Sequence, residues 1–163
     1  MIQIMIPMAD TEFLEPSVVD SIMRQTIPVE LHIATRPENP VGRRAGEADS
    51  RNALMESIDK FIVPYVFCMD SNVLLESDTI VYRSVTMLQT DRSIGSVHVK
   101  TKPVTSRRHF DIGCMAVRVD AIRGMRFASI TQGCHCDSVS EKVKGNKFKQ
   151  VWLSSEQEAT KIQ

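Results

Sequence analysis

The chain carries no net charge, because twenty lysines and arginines stand against twenty aspartates and glutamates in 163 residues. That balance gives no support to a sequence-independent grip on nucleic acid, which needs a concentrated basic face. Long apolar runs are missing too, and nothing approaches the roughly 20 residues that cross a bilayer. Met1 to Met8 is apolar but lacks a basic leader and a small-residue cleavage site, so no secretory signal is expected. Cysteine is sparse, with Cys68, Cys114, Cys134 and Cys136 only. Without a secretion signal, reduced thiols and a cytoplasmic location are the expectation. There is no internal repeat and no low-complexity segment.

What is present is ordinary for a globular protein: 42% apolar and 25% charged residues. The length suits one domain with a core of its own. Ile2 to Pro7 is a short apolar run closed by proline, the form of a first core strand. Leu14, Val18 and Ile22 then fall at helical spacing, with Pro16 tolerated in the first turn and Thr26-Ile27-Pro28 closing the helix. Val29 to Ala34 alternates as a second strand, and Thr35 to Gly46 reads as a long loop of the kind that often carries function. Asp49 or Ser50 can cap a helix whose apolar face is Ala53, Leu54, Ile58 and Phe61.

Tyr65-Val66-Phe67-Cys68-Met69 reads as a strand buried on both faces, running directly into Asp70-Ser71-Asn72. In an open α/β sheet ligands bind at the carboxyl ends of the strands. An acid and an amide held there could share a divalent cation, or could simply form an N-capped turn. Asp78 or Ser77 caps the next helix, which buries Ile80, Val81, Val85 and Leu88. Strands are expected at Ile94 to Val99 and Ile112 to Val117, joined by the basic, polar stretch Thr101 to Phe110. Gly113 marks a bulge or a close approach of backbone to ligand. A short helix over Val119 to Gly124, a flexible loop over Ala128 to Asp137, a helix over Ser138 to Lys144 and a strand over Phe148 to Leu153 complete the pattern. Residues 1–153 are therefore expected to form a single domain, with 154–163 a frayed polar tail. Alternating strands and helices in the first half predict a mixed, mostly parallel α/β sheet flanked by helices.

The order of these motifs resembles the family-two glycosyltransferases, whose Rossmann-like, nucleotide-sugar-binding fold is called GT-A. The resemblance spans about residues 2–153, and its strength is that six loose motifs are collinear. Ile2 to Pro7 is similar to the family's opening strand. Ser21 through Gln25-Thr26 is similar to its first helix, and Ser50-Arg51-Asn52 to its Ala-Arg-Asn. Met69-Asp70-Ser71-Asn72 resembles its Asp-x-Asp. Ile112 to Arg118 resembles the strand carrying a glycine near the sugar or acceptor, and Asp137 before Gly145 resembles its Glu-Asp element.

The resemblance implies a nucleotide-diphospho-sugar donor and an acceptor that is a glycan, lipid or protein, with no nucleic acid and no transmembrane segment. It implies Mn²⁺ or Mg²⁺ at Asp70 and Asn72, donor contacts from Pro7, Thr35, Arg51, Asn52, Asp70 and Ser71, and Asp137 as the candidate base. Arg43 or Arg44 could add charge at the phosphates. Three positions depart from the family pattern. Thr35-Arg36 stands where an aspartate usually reads the base, Asn72 replaces the second carboxylate, and Cys136 replaces the glutamate before Asp137. The alternative reading is accordingly a GT-A domain that has lost catalysis and serves as a nucleotide- or sugar-binding scaffold. A third reading, a thiol–metal site over Cys134-His135-Cys136-Asp137, rests on a single close cysteine pair, whereas plain cysteines in a loop also explain the residues.

Overall fold

Period-two alternation in the first strand, Ile2–Ala9 (β1), sends Ile4 and Ile6 to one face of a sheet and Met5 to the other, all fully buried. A strand apolar on both faces must be covered on both, which requires three layers. The computed structural model describes the chain except residues 10–11, 37–42, 61–62, 104–109, 111, 129–134 and 163; of residues 36 and 43–46 it describes the backbone alone.

Seven strands form one sheet: β1, β2 (Val29–Arg36), β3 (Tyr65–Met69), β4 (Val73–Leu75), β5 (Ile94–Lys102), β6 (Cys114–Arg118) and β7 (Lys149–Lys161). Their spatial order is β2-β1-β3-β6-β5-β7-β4. β1 pairs in parallel with β2 and β3, and β5 with β7, whereas β6 and β4 pair antiparallel with their neighbours. The sheet is thus mixed and mostly parallel, as the alternating elements predicted.

Helices α1 (Pro16–Met23) and α3 (Ile80–Thr90) cover one face, packing Val18, Ile22, Val81, Val85 and Leu88 against Ile4, Ile6, Phe67 and Ala116. Helices α2 (Arg43–Lys60), α4 (Val119–Ile122) and α5 (His135–Gly145) cover the other, packing Leu54, Ile58, Ile122 and Val139 against Met5, Val66, Met115 and Val117. Fully burying one such side chain stabilises the fold by about 1.5–3 kcal/mol, so the two apolar clusters hold the layers together.

Several boundaries differ from the sequence expectation. Helix α2 begins at Arg43, so the expected loop over Thr35 to Gly46 is shorter: Thr35 and Arg36 extend β2, and 37–42 lie outside the described residues. Asp49 and Ser50 lie inside α2 rather than at its N-terminal cap position, and buried Ser50 donates its hydroxyl to Met8 O at 2.9 Å. The cap position of α3 is Thr79, and neither Asp78 nor Ser77 is its cap residue. The amide of Gln25 does that work from another element. Its Oε1 accepts from Val81 N at 3.0 Å, and its Nε2 donates to Ser77 O at 2.9 Å. An orphan N–H at the start of α3 is thereby satisfied across the layer. The Ser21 and Gln25 of the resemblance are structural: Ser21 Oγ also accepts from Leu75 N at 3.3 Å.

The largest correction concerns the C-terminal stretch. Residues 154–161, expected to be a frayed tail, continue β7. They pair with β5 through Lys100↔Gln157 and with β4 through Val73↔Lys161, so their backbone groups are satisfied by neighbouring strands. Arg83 clasps the Glu158 carboxylate, with Nη2 to Oε1 at 3.0 Å, tying α3 to β7.

Candidate functional site

β1, β2, β3, β5 and β7 all run one way, so their carboxyl ends share one edge of the sheet, the edge where Asp70 sits. Asp70 follows β3 directly, and its N–H donates to Gly113 O at 2.9 Å, which fixes the turn against the residue before β6. Arg51 reaches across from α2, and its Nη2 donates to Asp70 Oδ1 at 2.8 Å. On the other side, Lys161 Nζ lies 3.7 Å from Asp70 Oδ2. Lys161 is brought there by its pairing with Val73, reinforced by Ile162 N donating to Asn72 O at 2.8 Å. Next along the turn, Ser71 Oγ lies 3.3 Å from Glu12 Oε2, and Glu12 also accepts from Ala9 N.

The Asp70 carboxylate thus lies between two cations. The side chains of Arg51, Lys161 and Asp70 are 13%, 22% and 25% exposed, so solvent screens the triad only in part. Arg51 is also anchored from below: its Cζ lies 5.9 Å from the centre of the Phe127 ring, whose centre lies 5.2 Å from that of His135 at the start of α5. Its Nε is buried and, among the described residues, finds no hydrogen-bond partner. Beneath it, an apolar cavity of about 30 Å³ is lined by Pro7, Arg51, Cys68, Ile112, Met115 and Phe127 among others.

Of the residues expected to touch a donor, Arg51, Asp70 and Ser71 converge on this edge, and Pro7 shares the cavity with Arg51. Thr35 is exposed near the end of β2, opposite Met8 of β1. Asn52 is used differently. Its Oδ1 accepts from Phe127 N at 2.7 Å and its Nδ2 donates to Phe127 O at 2.9 Å, which commits both ends of the amide to backbone. Asp137 lies exposed in the first turn of α5, inside the helix rather than capping it, two positions beyond His135. Among the described residues no direct contact joins Asp137 to Asp70; His135, two positions before Asp137, packs on Phe127, which packs on Arg51. Lys161, Glu12 and Phe127 are the site-edge residues that sequence reasoning missed. Phe127 and Lys161 carry no motif, and only long-range packing brings them here.

The expected Mn²⁺ or Mg²⁺ would need hard oxygen ligands at this turn. Asp70 is the only carboxylate in the pair, since Asn72 supplies at most a neutral amide, a weak ligand for a hard cation. Among the described residues no three His, Cys, Asp or Glu side chains cluster to hold a metal. Two unit charges about 4 Å apart near a protein surface interact by roughly 4 kcal/mol. A doubly charged ion on Asp70 would face repulsion of that order from both Arg51 and Lys161. Among the described residues, the Asp70–Asn72 turn flanked by Arg51 and Lys161 does not fit a resident divalent cation.

The cysteines also depart from expectation. Cys136 is disulfide-bonded, which removes it as a thiolate ligand and corrects the expectation of four reduced thiols. Cys68 and Cys114 are not disulfide-bonded, and Cys134 lies outside the described residues. Burial pushes the Cys68 thiol up to about 12, with Arg51 pulling it down and Asp70 pushing it further up. No helix among the described residues is long and apolar enough to cross a membrane.

No protein-family model and no curated sequence matches the chain. Solved structures do. The chain is similar to TarS of S. aureus, with a TM-score of 0.73 at 12% identity over 99% of this chain and 36% of that one. It is similar to the mannosyltransferase PcManGT of Pyrobaculum calidifontis, solved with GDP-Man and Mn²⁺, with a TM-score of 0.70 at 14% identity over 93% of this chain and 54% of that one. It is also similar to glucosyl-3-phosphoglycerate synthase of Mycobacterium tuberculosis, solved with Mn²⁺, UDP and phosphoglyceric acid, with a TM-score of 0.61 at 15% identity over 93% of this chain. The chain thus spans 36% of the first of these and 54% of the second. Sheet order, layer arrangement and these likenesses agree: the chain has the GT-A fold of nucleotide-sugar glycosyltransferases.

Proposed function

We propose that the chain is a glycosyltransferase domain that takes a sugar from a nucleotide-diphosphate donor. The observation that carries this reading is the Arg51–Asp70 pair, 2.8 Å apart at the carboxyl edge of a GT-A sheet. In glycosyl transfer the acceptor oxygen forms a bond to the anomeric carbon, and the bond from that carbon to the phosphate oxygen breaks. The acceptor proton needs a base, and the leaving diphosphate needs positive charge. Arg51 supplies charge at the strand ends, with a planar fork suited to phosphate oxygens. Asp70 orients that fork, and Ser71 offers a hydroxyl beside it. Pro7 and Thr35 border the same edge at the ends of β1 and β2. Asn52 supports the site indirectly, by holding Phe127 under Arg51. Asp137 is the candidate base, as an exposed carboxylate on the first turn of α5. The acceptor remains a glycan, lipid or protein hydroxyl.

Several of the similar structures hold Mn²⁺, and that supports testing a divalent ion alongside every donor. The test is a thermal-shift panel of nucleoside diphosphates, each with Mn²⁺, Mg²⁺ or EDTA. At least one should raise the melting temperature, and Asp137→Asn should leave that shift intact while lowering transfer by roughly 10²–10⁴-fold. No shift with any nucleotide in any buffer would sink the reading. A second reading, a domain that binds nucleotide or sugar without transferring it, is favoured by Asn72, which stands where a second carboxylate would complete a metal pair. Measurable transfer or donor hydrolysis would eliminate it.

A further inference from the structure

We infer that Lys161 is a diphosphate-binding residue, and that Lys161 and Arg51 together do the electrostatic work of a metal ion at this site. The inference rests on the nucleotide-diphosphate reading and names which part of the chain holds the phosphates.

Arg51 and Lys161 reach Asp70 at 2.8 Å and 3.7 Å, on different oxygens of the one carboxylate. One carboxylate is thus touched by two cations, one on each oxygen. A diphosphate, with negative charge spread over several oxygens, is the complement of two cations held this close together. The carboxylate also holds both side chains in place in advance, which lowers the entropy lost when a phosphate binds.

Both cations stand on regular elements. Arg51 is in α2, braced by Phe127, and its buried Nε has no partner among the described residues. A buried guanidinium donor without an acceptor is costly, and a phosphate oxygen at the edge of the guanidinium plane is the kind of acceptor that relieves it. Lys161 is at the end of β7, in register with Val73, and the neighbouring Ile162 N donates to Asn72 O at 2.8 Å. The turn that carries Asp70 and the strand end that carries Lys161 are therefore bonded together through the backbone. The ammonium is not a side chain that happens to reach Asp70 from a loose terminus. A divalent ion at the same place would have to displace it or bear its repulsion, and Asn72 would give that ion only a neutral ligand.

The experiment measures binding of inorganic pyrophosphate and of a nucleoside diphosphate panel by calorimetry, with EDTA and with Mn²⁺, for the wild type, Lys161→Met and Lys161→Arg. Methionine keeps the length and apolar stem, and ligand-free melting temperatures check that each variant folds. Pyrophosphate should bind the wild type equally well in both buffers. Lys161→Met should weaken it in EDTA by about tenfold or more, the scale of one lost charge-assisted hydrogen bond, and Lys161→Arg should keep most of the affinity. Mn²⁺ should partly rescue Lys161→Met, because Asp70 then has a vacant side for a cation. Binding that is lost in EDTA, restored by Mn²⁺ and indifferent to Lys161→Met would overturn the inference and leave the donor reading standing. Pyrophosphate binding that depends on Lys161, with no nucleotide bound in either buffer, would do the reverse. Failure of both probes in both buffers would overturn the two together.

Discussion

Asn52 holds Phe127 by both sides of its backbone, accepting from its N–H at 2.7 Å and donating to its carbonyl at 2.9 Å. The consequence reaches the site edge, because the Phe127 ring lies under Arg51 and beside His135. An asparagine that the motif pattern assigns to a ligand is thus bonded to backbone instead. Phe127 itself is 8% exposed, so the two backbone groups would have poor access to water if the amide were removed.

Asn52→Ala should therefore cost stability first, by about 1–3 kcal/mol, the penalty of leaving partly buried polar groups unsatisfied. Urea denaturation reads this as a lower midpoint with an unchanged slope. Asn52→Asp keeps the acceptor for Phe127 N and loses the donor to Phe127 O, so it should fall between wild type and alanine.

Gly95 admits no side chain. A Cβ built there would lie 2.5 Å from Phe148 Cβ, 2.9 Å from Val143 Cγ1 and 3.0 Å from Ala121 Cβ, where α4, α5 and the residue before β7 meet β5. Two of those three atoms are Cβ atoms that move only with their backbones. Gly95→Ala should destabilise by roughly 1–3 kcal/mol or more, as overpacking does in a close-packed core. Gly145→Ala, at a position with open space around the built Cβ, is the matched control and should change the melting temperature little.

Acid should loosen the β7 edge. Burial alone would raise the Glu158 pKa, but hydrogen bonds from Arg83 and Ser154 and the Arg83 charge outweigh it, so the folded value lies below 4.5. The hydroxyl of Thr160, together with Lys102, lowers Glu76 in the same direction against a smaller burial effect. A carboxylate with a depressed folded pKa binds its proton more readily unfolded. Its contribution is whole above the unfolded value and is lost as pH falls through the folded one. Urea midpoints should thus be flat from neutral pH to about 5 and fall below 4.5. Glu158→Gln should lower the midpoint at neutral pH and shrink the acid slope.

The thiols of Cys68 and Cys114 should be inert in the folded protein. Burial raises the Cys68 thiol to about 12, and Cys114 is fully buried in β6. Thiolate is the reactive form, so Ellman's reagent at pH 8 should leave both unmodified until denaturant is added. Rapid native labelling of Cys68 would show that the cavity beside Arg51 opens to solvent.

Much of the first half was legible in the sequence because its signals are local. Ile2 to Pro7, Val29 to Ala34 and Tyr65 to Met69 are apolar runs of strand length, and α1 and α3 carry helical periodicity. Each can be read from neighbours a few positions away. The carboxyl end of β3 as a ligand edge followed from strand direction alone, and the triad at Asp70 is there. The rest depended on partners distant in the chain. β7 beyond Leu153 is polar and has no clean alternation, and it is a strand because β5 and β4 flank it and satisfy its backbone. Gln25 caps α3 from the end of α1, and Asn52 binds Phe127, across separations that no periodicity encodes. The sequence by itself determined an α/β chain with an acid, a hydroxyl and an amide at a strand end. Only the tertiary structure decided that Arg51 and Lys161 flank that acid, because the field at Asp70 is set by charges brought close in space, and Lys161 arrives there through hydrogen bonds to another strand.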